Sequence, residues 1–473
     1  MTSLADLTLV EAAEAVRTGA ATSIALLDAC LAEMDAHEAA VNATIWIDRE
    51  GAAAAAHAAD AAKATGPLHG VPLAHKDMYY HSGQLTSCGS AIRRDFIPEH
   101  SATVVERMVA AGAYTFAGLN MAEFAQNGTG HNAHYGDCRN PWNLPYITGG
   151  SSSGSGAAVA ARFAYAALGS DTGGSIRLPA SANGACGIKP TQTRVSRYGV
   201  MPLSFSADNV GPLARTAQDC ARMLGVLAGH DPRDPTSARV TVPDYEAALD
   251  GDLRGVRLGV PTTHFLDDVD EPVAMAFEAT LAVLVGRGAT VVRLPLPLMD
   301  AVLAYGAVVS RSEGAAIHAD WMRSRPEDFA THISGRLFAG YAVPAAVYVE
   351  ALRARGAILR AFAREVFGQV DLLLSPTIRI CLPTLAATDI DNGPPGTEEL
   401  ALGISANTRP FNYLGLPAMS VPCGFDPNGL PIGLQIAGRP FAEAQVLRVA
   451  DAYGRDTDWH TRKPPFTTAG AAA

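Results

Sequence analysis

The run GGSSSGSGAAVAARFAYAALGSDTGGSIRLP, Gly149–Pro179, decides how the rest of this chain is read. It holds two Ser/Gly clusters, Gly149–Gly156 and Asp171–Ser175, with an Ala-rich segment between them. Glycine and serine dominate where a backbone must come close to something or adopt positive φ. Two such clusters around an apolar helix-and-strand segment predict a site built from main-chain N–H groups and hydroxyls.

The clusters differ in what they offer. Gly150–Gly154 fits G-x-S-x-G, the nucleophile elbow, with Ser152 at its centre. That motif needs an acid and a histidine downstream, and no histidine sits in a distinctive late loop. A Gly/Ser run is equally an ordinary polar loop. In Asp171-Thr172-Gly173-Gly174-Ser175, successive small residues let adjacent N–H groups converge into an anion-binding nest. A serine ending that nest suits a nucleophile beside its own oxyanion hole. The alternative is a tight turn with a structural serine.

Lysine is scarce: only Lys63, Lys76, Lys189 and Lys463 occur. Lys76 follows the apolar Gly70–Ala74 and is expected to be buried. Desolvation lowers an ammonium pKa, which is how a lysine becomes a general base. An ion pair with Asp77 is the competing reading.

The 473 residues are 48% apolar and 18% charged, a globular composition with ample core. A net charge of −11 and the lack of a Lys/Arg cluster argue against a nucleic-acid surface on this chain, leaving open a partner with its own basic patch. The runs Ala52–Ala62 and Ala157–Leu168 are too short and too interrupted to span a bilayer. The start, MTSLADLTLVEAAEAV, lacks the charged and apolar regions of a signal peptide. Seven scattered cysteines without CxxC spacing fit a reducing cytoplasm. No HExxH or paired-His metal spacing exists. Gly128–Ala133 (GTGHNA) lacks the βαβ setting of a dinucleotide loop.

Residues 8–65 read as three helices, with Ser23 as a candidate cap for the second. Leu68–Ala74 is extended; Ser101 is placed to cap the helix TVVERMVAAG; Ala113–Leu119 is a short buried strand. Residues 120–148 form a long functional loop. Ala214–Gly229 reads as a helix, and Val256–Val260 and Ala289–Leu294 flank a helix in a βαβ-like unit. Residues 298–367 are mostly helical. Asp371–Ser375, Ala418–Gly424 and Ile432–Ala437 follow as strands and Glu443–Tyr453 as the last helix. No repeat or linker divides the chain, so one large α/β domain around a mixed sheet is expected. Its parts are a helical segment at about 5–66, a catalytic core at about 67–215 and a C-terminal part at about 216–462.

Together, Lys76 in GVPLAHKD, Ser151 in GGSSSGSG and Ser175 in DTGGSIRLPA resemble the amidase signature family of serine hydrolases. The likeness extends to NPWN (Asn140–Asn143), GIKPT (Gly187–Thr191), LLLSPT (Leu372–Thr377) and PFNYLGLPAMSVPCG (Pro410–Gly424), roughly residues 5 to 460. One departure is Ser153, where the family's GGSSGGS has the first glycine after its two serines.

The resemblance implies a twisted mixed sheet covered by helices on both faces and a Ser–cis-Ser–Lys triad. Ser175 would be the nucleophile, Ser151 the relay after a cis peptide bond, and neutral Lys76 the base. The N–H groups of Thr172, Gly173, Gly174 and Ser175 would form the oxyanion hole, with Asp171 and Arg177 as structural partners of the loop. Ala125, Gln126, Asn127, Gly128 and Thr129 would line the acyl pocket, with Gly150 beside the relay serine. Met78, Tyr80, Tyr135, Asn407 and Thr408 are candidate walls, and Arg194 a candidate contact from a nearby loop. Such walls suit an apolar or aryl amide, or a carbamate. The expected function is therefore cofactor-free hydrolysis of small amides, with esters as side substrates and no nucleic-acid or membrane partner. The alternative is the A-type subunit of a glutamyl-tRNA amidotransferase, which works only in complex.

Overall fold

The computed structural model describes residues 3–466. Its strands are β1 (Thr44–Ile47), β2 (Pro72–Lys76), β3 (Tyr114–Leu119), β4 (Ala166–Asp171), β5 (Cys186–Lys189), β6 (Asn209–Ala214), β7 (Arg257–Pro261), β8 (Thr290–Leu294), β9 (Leu372–Pro376), β10 (Ala418–Phe425) and β11 (Pro431–Gly438). They form one mixed sheet in the order β1-β3-β2-β4-β6-β5-β10-β11-β9-β7-β8. β2 runs parallel to both β3 and β4, and β7 runs parallel to β8 and β9. The remaining pairs are antiparallel. The result is a single large α/β domain.

Local chemistry accounts for much of this. The helix Leu9–Thr18 starts in a Thr8/Glu11 capping box and stops at Gly19, whose φ of 74° suits glycine. The β7–helix Glu271–Gly286–β8 unit has the parallel pairing its pattern predicts. β2, β4, β5 and β9 are buried at every residue, as expected of strands covered on both faces.

Two expectations need correction, and one central strand was not foreseen. Thr22, not Ser23, caps the helix Ser23–Val41; the Ser23 hydroxyl instead donates to the Gly70 carbonyl at 2.7 Å. Ser101 does not cap the helix Thr103–Ala110, because its hydroxyl accepts from Ser82 N–H. β6, NVGPLA, is a central strand that its Gly and Pro concealed, with Pro212 opposite Leu168. Its burial at all six positions outweighs that local preference. No helix among the described residues is long and apolar enough to cross a membrane.

The sheet centre organises the site. β2 and β4 lie side by side in parallel, so their C-terminal ends deliver Lys76 and Ser170-Asp171 to one edge. Ligands of open α/β sheets bind at that edge.

Candidate active site

Lys76 closes β2 with no exposed surface. Its Nζ donates to Ser151 Oγ at 2.7 Å and to Ser170 Oγ at 2.9 Å. Burial pushes its pKa down to about 7, against the opposing pull of Asp171 and Asp208. Asp77 is not its ion-pair partner: that carboxylate accepts from Trp46 Nε1 and from the Ser87 amide and hydroxyl. Burial raises the Asp77 pKa to about 6.

Ser151 follows a cis peptide bond from Gly150. The segment is clamped from both sides: Gly150 N–H donates to the Gly128 carbonyl at 2.7 Å, and Ala122 N–H to the Ser151 carbonyl at 3.1 Å. The buried helix Ser153–Ala160 starts directly afterwards. A Cβ at Gly154 would collide with the Ala43 carbonyl and Asn120, so this turn passes too close to its neighbours for any larger residue. Ser153 fits, its hydroxyl donating to the Asn120 carbonyl at 3.3 Å.

Ser152, the centre of G-x-S-x-G, is fully buried and tied to β4. It donates to the Ser170 carbonyl at 3.2 Å and accepts from Ser170 N–H at 3.3 Å. The elbow reading therefore fails: Ser152 lies behind the cavity wall as a strut.

The second cluster is shaped by one carboxylate. Asp171 Oδ1 accepts from Gly174 N–H at 2.8 Å, Arg177 Nη2 at 2.9 Å and Asn412 Nδ2 at 2.8 Å. Its Oδ2 accepts from Ile176 N–H at 3.2 Å and Arg177 Nε at 3.0 Å. Burial alone would raise this carboxyl, but the Arg177 guanidinium holds it down at about 2. Arg177 spends its other donors on the Thr408 carbonyl, Gln435 and Asn412. Gly174 has φ 131°, and a Cβ there would strike Thr408 Oγ1.

This arrangement revises the expected oxyanion hole. Gly174 N–H is committed to Asp171 and is not available as a donor. The N–H groups of Thr172, Gly173 and Ser175 make no internal hydrogen bond among the described residues. These three residues line a cavity of about 430 Å³. The Ser175 hydroxyl, also without a partner among the described residues, belongs to the same wall. Ser152 N–H donates to the Ser175 carbonyl at 3.3 Å, which ties this wall to the turn whose Ser151 holds the buried, low-pKa amine. A hydroxyl, main-chain donors and such an amine on adjoining turns are the equipment for acyl transfer.

Ala125, Gln126, Asn127 and Gly128 line this cavity. Other candidate walls lie elsewhere. Thr129 and Gly150 are behind the lining, bonded to Asn127 and to the Gly128 carbonyl respectively. Met78 faces a second cavity of about 220 Å³, shared with Ser170 and Asp208. Tyr80 packs on Phe96 and His100, and Tyr135 contributes its carbonyl to Asn42. Asn407 bridges the Phe265 and Pro376 carbonyls, and Thr408 Oγ1 braces the nest through the Gly173 carbonyl at 2.6 Å. Arg194 is buried against Glu443 at 3.6 Å and the Val240 and Thr241 carbonyls, so it touches no substrate in this cavity.

The outer wall was not foreseen. It carries Arg311, Arg336, Arg355 and Arg409. They come from the helices Met299–Ile317, Thr331–Tyr341, Ala345–Glu365 and Arg409–Tyr413. The pocket thus sets four arginines beside an apolar lining that includes Leu203, Val309, Ile390 and Tyr413, where only an apolar or aryl-binding surface was expected. Arg-rich helices gave no sign of which face they would turn inward. Ser170 was also missed, although it lies within the opening stretch.

A family model described as Amidase matches residues 25–447. The chain belongs to the amidase signature family. The A-type subunit of the glutamyl-tRNA(Gln) amidotransferase of Chloroflexus aggregans is 41% identical over 99% of this chain and 100% of that protein. The protein of the same name from Roseiflexus sp. is 42% identical over 98% and 99%. A crystal structure of the corresponding glutamyl-tRNA(Gln) amidotransferase subunit from Thermotoga maritima superposes with a TM-score of 0.82, at 30% identity over 99% of both chains. These relatives overturn the expectation of an amidase signature enzyme that meets small molecules alone, without nucleic acid or partner chains: their name is that of one subunit of a tRNA-directed enzyme. The charge argument behind that expectation addressed only this chain's own surface.

Proposed function

We propose that this chain is the amide-hydrolysing A-type subunit of a glutamyl-tRNA(Gln) amidotransferase-like assembly, working in the cytoplasm with partner subunits and tRNA. It releases ammonia from a carboxylate-bearing primary amide. Likeness to the A-type subunits over essentially the whole chain supports the reading, and the observation that carries it is the Lys76–Ser151 contact of 2.7 Å beside the Ser175 wall.

Ser175 Oγ attacks the amide carbon while its proton passes through Ser151 to neutral Lys76. The N–H groups of Thr172, Gly173 and Ser175 hold the oxyanion of the tetrahedral intermediate; one such donor contributes about 2.7–4 kcal/mol. The C–N bond breaks as the proton returns through Ser151 to nitrogen, and ammonia leaves. Water, deprotonated by the same relay, cleaves the ester on Ser175 and restores the free hydroxyl. Uncharged aryl amides and carbamates would leave the arginines of this pocket without a counter-charge.

The test measures ammonia released from glutamine by the full chain, alone and with the other subunits and glutamyl-tRNA(Gln). Stimulation by the partners, with transfer of the nitrogen to tRNA, is expected. Equal turnover of anilides by the isolated chain, without response to partners or tRNA, sinks the reading.

A further inference from the structure

The outer wall holds more positive charge than a zwitterionic amide such as glutamine requires. Among the described residues, Arg311 and Arg336 make no side-chain hydrogen bond or ion pair, and Arg409 has only the Leu402 carbonyl at 3.1 Å. Arg355 differs, because the Ser206 and Asn412 carbonyls and Gln192 occupy it. The only acidic group lining the cavity among the described residues is Glu398, exposed on the helix Thr397–Gly403.

Arg336 and Arg409 feel the neighbouring guanidiniums. Burial, then Arg311, lowers the Arg336 pKa to about 10, with Glu398 opposing; burial, then Arg336 and Arg311, lowers Arg409 to about 10. Like charges gathered in a cavity without enough carboxylates to neutralise them form an anion site. Planar guanidiniums also match carboxylate geometry.

We propose that Arg311, Arg336 and Arg409 select a net-negative amide, one with a carboxylate and no neighbouring ammonium, over zwitterionic glutamine. The inference rests on the proposed hydrolytic role of Ser175 and deepens it by naming the substrate class. An ammonium near this wall meets three guanidiniums against one exposed carboxylate. A carboxylate in its place meets the attraction of three guanidiniums against the repulsion of that one exposed carboxylate.

The experiment compares kcat/KM of the full chain for glutaramate, glutamine and valeramide, which present the same primary amide with net charges of about −1, 0 and 0 at neutral pH. Glutaramate is expected to exceed both by about tenfold or more, with the preference shrinking in high salt. In Arg311→Gln and Arg409→Gln the glutaramate-to-valeramide ratio should fall about tenfold. Should turnover need partner subunits, calorimetric binding of glutarate to Ser175→Ala gives the answer, with the same arginine variants. Glutamine equal to or better than glutaramate overturns the inference and leaves the proposed function standing. Absence of glutarate binding, or binding indifferent to both arginines, also overturns it. A preference for glutaramate without any response to partners or tRNA sustains the inference and removes the amidotransferase reading.

Discussion

Lys76 Nζ lies 2.7 Å from Ser151 Oγ and 2.9 Å from Ser170 Oγ, so the terminal amine of β2 bridges the Ser/Gly turn and the adjacent strand β4. The amine is buried completely, which disfavours its charge, and it is held by two neutral oxygens rather than a carboxylate. Position and protonation state therefore have one origin.

Activity should follow that protonation state. The Lys76 pKa is lowered from 10.5 to about 7, and the base must be neutral. The kcat/KM profile should thus rise with pH through about 7. Lys76→Ala should remove that limb along with most of the activity, and an unchanged profile in residual turnover would reject Lys76 as the titrating base.

Ser170 is a positioning residue. Ser170→Ala removes an acceptor from Nζ, which destabilises the ammonium and frees the side chain to move. The acidic limb should shift to lower pH and kcat should fall about tenfold, in keeping with the roughly 1.5–3 kcal/mol of a hydrogen bond to a charged group. Ser170→Thr should restore both. A purely structural role would lower stability without moving the limb.

Ser175→Ala should reduce turnover by at least about 10⁴-fold while leaving circular dichroism and thermal unfolding near those of the parent. Ser152→Ala, by contrast, should cost stability through its two contacts with Ser170 and should retain acyl-enzyme formation. Mass spectrometry of the trapped adduct identifies which serine is acylated.

Asp171→Asn should destabilise the protein by about 3–5 kcal/mol, because Arg177 would remain buried without its counter-charge. Urea titration measures the loss. The depressed pKa carries its own signature: its contribution is fully present above the unfolded value of 3.8 and is lost as pH falls through about 2. The parent should therefore lose that increment of stability between these values, and Asp171→Asn should not.

The parts of the site legible in the sequence share a property: their meaning is local. Buried Lys76 follows from the apolar residues before it, and the nest at Asp171–Ser175 follows from consecutive small residues. What misled was equally local. G-x-S-x-G pointed to Ser152, and only the closeness of β4 shows that its hydroxyl is consumed by Ser170. Gly174 has the makings of another oxyanion donor until the fold brings Asp171 to claim its N–H. β6 was not foreseen: Gly211 and Pro212 break its strand pattern, and its neighbours β4 and β5 hold it in place.

The sequence by itself determined the family, the α/β class and the candidate hydroxyls and amine, because short motifs of small residues constrain the backbone that carries them. Tertiary structure alone decided which of those groups remain free to act and what charge faces them. Arg311, Arg336 and Arg409 reach one cavity from three separate helices, and Coulomb interactions depend on distance in space rather than along the chain.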